Sequence, residues 1–157
     1  MNVNRHTVAL YADVALADMA TALERFDDSA LNERPFGLGT NSAAVLVVHA
    51  CGAARFWLEH IGLGRPTDRD RDAEFTTTAT MVELQDLVAT TRSVIHDVIA
   101  DFDEGPTATD HELRVLAPGG DTSDGSVVLH VLQELFQHLG HLEITADAIG
   151  RPPDSAV

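Results

Sequence analysis

Hydrophobic residues recur every three or four positions along four segments of the chain, which is the spacing of an amphipathic α-helix. The four predicted helices cover residues 3–26, 43–62, 81–102 and 127–149. No segment carries a convincing strand pattern. Because each helix is expected to bury one apolar stripe against its neighbours, the pattern predicts an all-α fold, a four-helix bundle, in a single domain over residues 1–157.

The predicted helix ends carry residue types that commonly cap helices. The candidates are Thr40 or Asn41 for the second helix, Thr80 with Glu83 for the third, and Asp124 or Ser126 for the fourth. Gly150 is expected to end the fourth helix. The connections 27–40 and 62–79 are long enough to form ligand-binding loops. Residues 103–125 form a third connection, in which 111–116 is expected to be irregular or extended.

Composition narrows the classes of function. The formal charge is −15, and all 10 basic residues are arginine. A surface this acidic repels phosphate backbones and anionic lipids, so we expect neither nucleic acid nor a membrane as a partner. No apolar run reaches the roughly 18 residues that span a bilayer, and the N-terminus lacks a signal-peptide pattern. A single cysteine, Cys51, excludes an intrachain disulfide, and the expected location is the cytoplasm.

Candidate chemistry is concentrated on the predicted fourth helix. At about 100° per residue, four polar side chains share one narrow stripe: His130, Glu134, His138 and His141. The stripe borders the apolar sector of the helix, where burying such groups is costly without a cation or a polar partner. Glu134 and His138 are one turn apart, a spacing at which two side chains can bind one metal ion.

A third ligand must come from another helix, and His49 is the best candidate. It lies within about 80° of five apolar residues of the second helix, so it is expected to point inward. His130 and His141 stay open as alternative ligands or as residues that support the ligands. Cys51, Phe56, Trp57 and Phe136 are expected to pack in the core. Four arginines in the loops, Arg34, Arg65, Arg69 and Arg71, are expected to be available to an anionic ligand.

Two patches of sequence resemble the DinB-like superfamily of metal-binding four-helix bundles, nearest the branch that includes mycothiol-dependent maleylpyruvate isomerase. They are VLVVHACGAARFWL in the second helix and HVLQELFQHLGHLEITADAIG in the fourth, which contains E-x-x-x-H-x-G-H. The resemblance implies that His49, Glu134 and His138 hold the metal. The isomerase carries an additional C-terminal domain that contributes to its active site, whereas this chain ends at Val157. The isomerase reaction itself is therefore not expected.

Two imidazoles and one carboxylate with no fourth protein ligand are typical of a catalytic zinc centre. The resemblance implies that the metal activates a low-molecular-weight thiol, such as mycothiol, for transfer to or isomerisation of a small-molecule electrophile. Zinc is the expected metal, with nickel, cobalt and iron as alternatives. The competing hypothesis is a non-catalytic, metal-stabilised bundle that binds a ligand or partner, for example as a homodimer through the first and third helices.

Overall fold

The computed structural model of the protein describes residues 4–37, 39–101 and 124–150. All regular structure in these residues is helical, which confirms the predicted all-α class. The helices are α1 (Arg5–Leu23), α2 (Ala43–Arg55), α3 (Arg71–Glu74), α4 (Met81–Asp101) and α5 (Asp124–Ile149). A 3₁₀ turn covers Ala30–Asn32, and a π-helical segment, Phe56–Gly62, continues directly from α2.

The helices pack around one continuous apolar core. Both α1 and α2 contact α4 and α5, and their buried faces consist of aliphatic and alanine side chains. Fully buried members include Leu16, Met19, Leu23, Val47, Leu58, Ile95, Leu135 and Leu142. Cys51 is also fully buried, as predicted. Phe136 is 38 % exposed, so its predicted place in the core is wrong. Its ring instead lies against Tyr11 of α1, 6.4 Å between centroids.

The predicted caps are confirmed for one helix and corrected for two. Thr80 and Glu83 form the expected capping box: the Thr80 amide donates to Glu83 Oε2 at 2.8 Å, and the Glu83 amide donates to Thr80 Oγ1 at 3.3 Å. The cap of α2 is Ser42, whose Oγ accepts from the Val45 amide, and not Thr40 or Asn41.

The fourth predicted helix, now α5, starts earlier than expected. Asp124 is its first residue and Ser126 its third, so the capping position precedes both and lies outside the described residues. Gly150 follows the last helical residue, as predicted, and its amide donates to the Ala146 carbonyl at 2.8 Å. The predicted irregular piece at 111–116 lies outside the described residues.

The second predicted helix changes character at its C-terminal end. Residues 56–62 widen into a π-helical segment, which ends at Gly62. Leu63 follows, and then Gly64 at φ 66°, a conformation that glycine adopts without steric cost. Trp57 lies in this segment and contacts α5. The centroid of its ring is 4.3 Å from that of His130. Among the described helices, none combines the length and apolar character needed to cross a bilayer.

Candidate metal centre

Three polar side chains from two helices converge in the core. His49 of α2 and Glu134 and His138 of α5 each place one donor atom within 4.8 Å of the other two. The two imidazoles are 8 % and 9 % exposed, and their rings meet almost at right angles with centroids 4.9 Å apart. The structure therefore brings together the three residues that the sequence selects. That they hold a metal stays a prediction.

His49 is oriented by Glu74, the last residue of α3. Its Nδ1 lies 2.7 Å from Glu74 Oε2. Because a carboxylate oxygen only accepts, Nδ1 carries the proton and donates, which leaves the Nε2 lone pair available to a cation. Burial lowers the pKa of His49, although the hydrogen bond to Glu74 opposes that effect. The imidazole is therefore neutral at neutral pH, the state in which histidine binds metal.

Glu74 is held in turn by Arg69. The Arg69 Nε donates to Oε1 at 2.6 Å and Nη2 donates to Oε2 at 2.9 Å, a bidentate pairing of guanidinium and carboxylate. Glu74 is 8 % exposed, and the Arg69 side chain is 15 % exposed. The pair lies over Gly52 of α2, where an added Cβ would stand 2.5 Å from Glu74 Oε1. A side chain larger than hydrogen at residue 52 would therefore displace the carboxylate.

The sequence pattern did not reveal Glu74, because α3 is only four residues long and lies in a connection predicted to be a surface loop. The one local signal is Asp70, whose Oδ1 accepts from the Ala73 amide at 3.0 Å and so caps α3. That spacing predicts a helical turn at this point. It does not predict that the turn contacts His49.

Glu134 lies between two histidines of its own helix. Its Oε2 is 3.3 Å from His138 Nε2, and its Oε1 is 3.7 Å from His130 Nε2. The hydrogen bond from His138 lowers the pKa of Glu134 against the opposing effect of burial, so the group is a carboxylate at neutral pH. Burial lowers the pKa of His130, which keeps that imidazole neutral.

The two alternative ligands differ in position. His130 lies beside Glu134 and packs on Trp57, which places it where it can support the carboxylate. His141 is exposed, and its ring centroid lies 5.6 Å from that of His138. Neither belongs to the three-residue cluster found among the described residues.

The arginines expected to be free are mostly engaged. Arg34 donates to two backbone carbonyls, those of Thr40 and Phe75, and Arg69 is committed to Glu74. The prediction is therefore wrong for these two, because their guanidinium groups donate to acceptors within the protein. Arg65 pairs with Glu59 and Asp101 at 3.4 and 3.7 Å but stays 46 % exposed. Arg71 lies over the Phe75 ring, 5.1 Å from its centroid.

A cavity of about 490 Å³ lies next to this network. Its wall includes Gly52, Phe56, His60 and Arg69, but none of the three candidate ligands. Arg69 therefore contacts both the cavity and Glu74, and its guanidinium carbon lies 5.4 Å from the centroid of the Phe56 ring. The size is that of a small-molecule site.

The donor set fits a divalent cation. Two imidazoles and a carboxylate are the ligand types of a three-ligand zinc centre. Nδ1 of His138 is buried and has no hydrogen-bond partner among the described residues, and its Nε2 lies 3.3 Å from Glu134 Oε2. Fold and site together define an all-α protein with a candidate centre of two histidines and one glutamate.

Comparison with known families agrees with this class. A family model described as the DinB superfamily matches residues 11–142, and the chain belongs to that superfamily. The matched range contains all three candidate ligands as well as Glu74. No curated protein and no solved structure matches the chain significantly.

Proposed function

We propose that the protein is a four-helix bundle that binds one divalent metal through His49, Glu134 and His138 and uses it to activate a small thiol. The observation that carries the proposal is the convergence of three donor atoms within 4.8 Å, with no fourth protein ligand among the described residues. Structural zinc sites use four protein ligands, whereas catalytic sites use three and leave one position open. Zinc is the first candidate, and nickel, cobalt or iron suit the same ligands.

A divalent cation bound there would lower the pKa of a coordinated thiol and so supply a thiolate at neutral pH. The protein residues around it have separate tasks. His49 and His138 offer imidazole nitrogens, and Glu134 offers a negative charge that offsets part of the cation's charge. Phe75, whose ring centroid is 4.9 Å from that of His49, provides an apolar neighbour for that imidazole.

The reaction class we propose is transfer of the thiol to a small electrophile, or isomerisation of that electrophile through a thiol adduct. The support comes from the open ligand set and from the resemblance of the second and fourth helices to the mycothiol-dependent branch. Mycothiol is therefore the first thiol to test, followed by other low-molecular-weight thiols.

Cobalt substitution gives the direct test. Adding a small thiol at neutral pH to the cobalt protein should produce sulfur-to-metal charge-transfer absorption, whereas the S-methylated thiol should not. The protein's own thiol does not interfere, because Cys51 is fully buried and burial raises its pKa to about 11. If cobalt binds and no thiol changes the spectrum, thiol activation is wrong.

A non-catalytic role has one observation in its favour. Large apolar side chains are exposed on neighbouring faces of α1 and α5, namely Leu10, Tyr11, Val14, Leu129 and Phe136. Such a face suits a protein partner, including a second copy of the chain. Metal affinity without thiol-dependent turnover, together with loss of a dimer in Tyr11→Glu, would favour this function over catalysis.

A further inference from the structure

We propose that Glu74, held by Arg69 and seated against Gly52, is a positioning residue that fixes His49 in the tautomer and orientation needed for metal binding. The inference deepens the proposed function and rests on it. Its physical basis is separate, since it concerns hydrogen bonds that exist without a metal. It assigns a role to three residues that are not themselves candidate ligands.

The first step is the choice of tautomer. A neutral imidazole carries one proton, on either Nδ1 or Nε2, and only the unprotonated nitrogen can bind a cation. The 2.7 Å contact between Nδ1 and Glu74 Oε2 requires the proton on Nδ1. Nε2 is then the binding nitrogen. A carboxylate behind a ligating histidine commonly performs this task in metal centres.

The second step is the rigidity of Glu74. A glutamate on a four-residue helix in a connection has several rotamers, and a single hydrogen bond to His49 would restrict them only in part. Arg69 donates one N–H to each carboxylate oxygen of Glu74, at 2.6 and 2.9 Å, which fixes the plane of the carboxylate. Oε2 therefore receives donors from both Arg69 and His49.

The third step is the close contact between Glu74 and α2. Gly52 lies one turn after His49 on the same helix, and its missing side chain is the space that Glu74 Oε1 occupies. Glycine in a helix interior is unfavourable compared with alanine. Its presence here is explained by the close approach of the carboxylate.

Replacing Gly52 tests this role, because a second helical glycine serves as a matched control. A Cβ at Gly140 of α5 would meet no atom within 4 Å, whereas one at Gly52 would meet Glu74. Both Gly→Ala changes favour the helix. If the contact between Gly52 and Glu74 has no effect on the metal site, the two variants should bind metal equally well.

We expect Gly52→Ala to weaken zinc affinity about 10- to 100-fold, the usual effect of losing an outer-shell partner of a metal ligand. Gly140→Ala should leave it unchanged. Glu74→Leu should match Gly52→Ala, and Glu74→Gln, which keeps an oxygen acceptor for Nδ1, should recover part of the loss. Affinity is measured by competition with a chromophoric chelator. Equal affinity of Gly52→Ala and Gly140→Ala overturns the positioning role.

A second readout uses the metal-free protein. Long-range ¹H–¹⁵N correlation of the His49 ring, assigned by its loss in His49→Gln, should show the proton on Nδ1 in the wild type and its redistribution in Gly52→Ala. A wild-type ring protonated at Nε2 overturns the inference even if metal binds tightly. An Nδ1 proton that depends on Gly52 supports it even if no metal binds, in which case only the proposed function fails.

Discussion

The Arg69–Glu74 pair makes a large and specific contribution to stability that can be measured without metal. Removing one partner of a buried ion pair costs about 3–5 kcal/mol, because the other charge is left unpaired. Glu74 is nearly inaccessible, but Arg69 keeps 15 % of its side chain in solvent and can turn outward. We therefore expect Glu74→Ala to lose about 3 kcal/mol, at the lower end of that range.

In a chain of this size, 1 kcal/mol shifts the melting temperature by about 2–4 °C, so the expected fall is about 6–12 °C. Urea unfolding in excess chelator, followed by circular dichroism, should show a lower midpoint with an unchanged slope. As a control, Glu59→Ala breaks two more exposed pairs, with Arg55 and Arg65, and should cost about 0.2–1 kcal/mol for each pair.

The double variant Arg69→Met with Glu74→Leu separates the charge effect from a general loss of packing. Replacing both charges by apolar groups of similar size removes the unpaired charge, so most of the lost stability should return. A loss of stability below about 1 kcal/mol in Glu74→Ala would contradict this expectation, because it is the size found for exposed ion pairs. So would a double variant no more stable than Glu74→Ala.

Three further outcomes are expected. Zinc at a free concentration about 100 times its Kd should add about 2.7 kcal/mol to the stability of the chelated wild type, and a thermal midpoint that ignores zinc would contradict binding to the folded state. Asp13→Asn should cost about 0.5–1 kcal/mol at pH 7, because the hydrogen bond from Arg92 lowers the pKa of Asp13 below its ordinary 3.8. That stability is present above pH 3.8 and is lost as the pH falls through the lowered pKa, so wild type and variant should converge in acid denaturation titrations. Ser42→Ala should cost about 1 kcal/mol in urea unfolding, since it leaves the Val45 amide without its cap, and an unchanged midpoint would argue against the cap.

The sequence predicted the site best where helical periodicity determines geometry. Glu134 and His138 are one turn apart on α5, and His49 faces inward on α2, so regular helix geometry is enough to place all three toward one core. The presence of the four long helices was also predicted from periodicity, because each has a continuous apolar stripe. Boundaries were less accurate: Ser42 rather than Thr40 or Asn41 caps α2, since one residue of difference barely changes the periodic pattern.

What the sequence could not predict depends on contacts between distant segments. Glu74 lies in a short helix whose position is set by its bonds to Arg69 and His49, and no periodicity marks such a residue. Arg69 was expected to be available to a ligand, because the sequence does not show that Glu74 is its partner. Phe136 was assigned to the core by its chemical type, whereas α5 turns it outward beside Tyr11.

The metal stoichiometry of single variants shows directly whether His49, Glu134 and His138 bind one metal ion. Elemental analysis of the wild type after zinc loading and desalting should give one metal per chain. Alanine at any of the three positions should weaken binding by more than about 100-fold, beyond the loss expected for an outer-shell residue. His141→Ala should retain the metal. If Glu134→Ala keeps its zinc while His141→Ala loses it, α5 presents a different pair of ligands and the proposed ligand set is wrong.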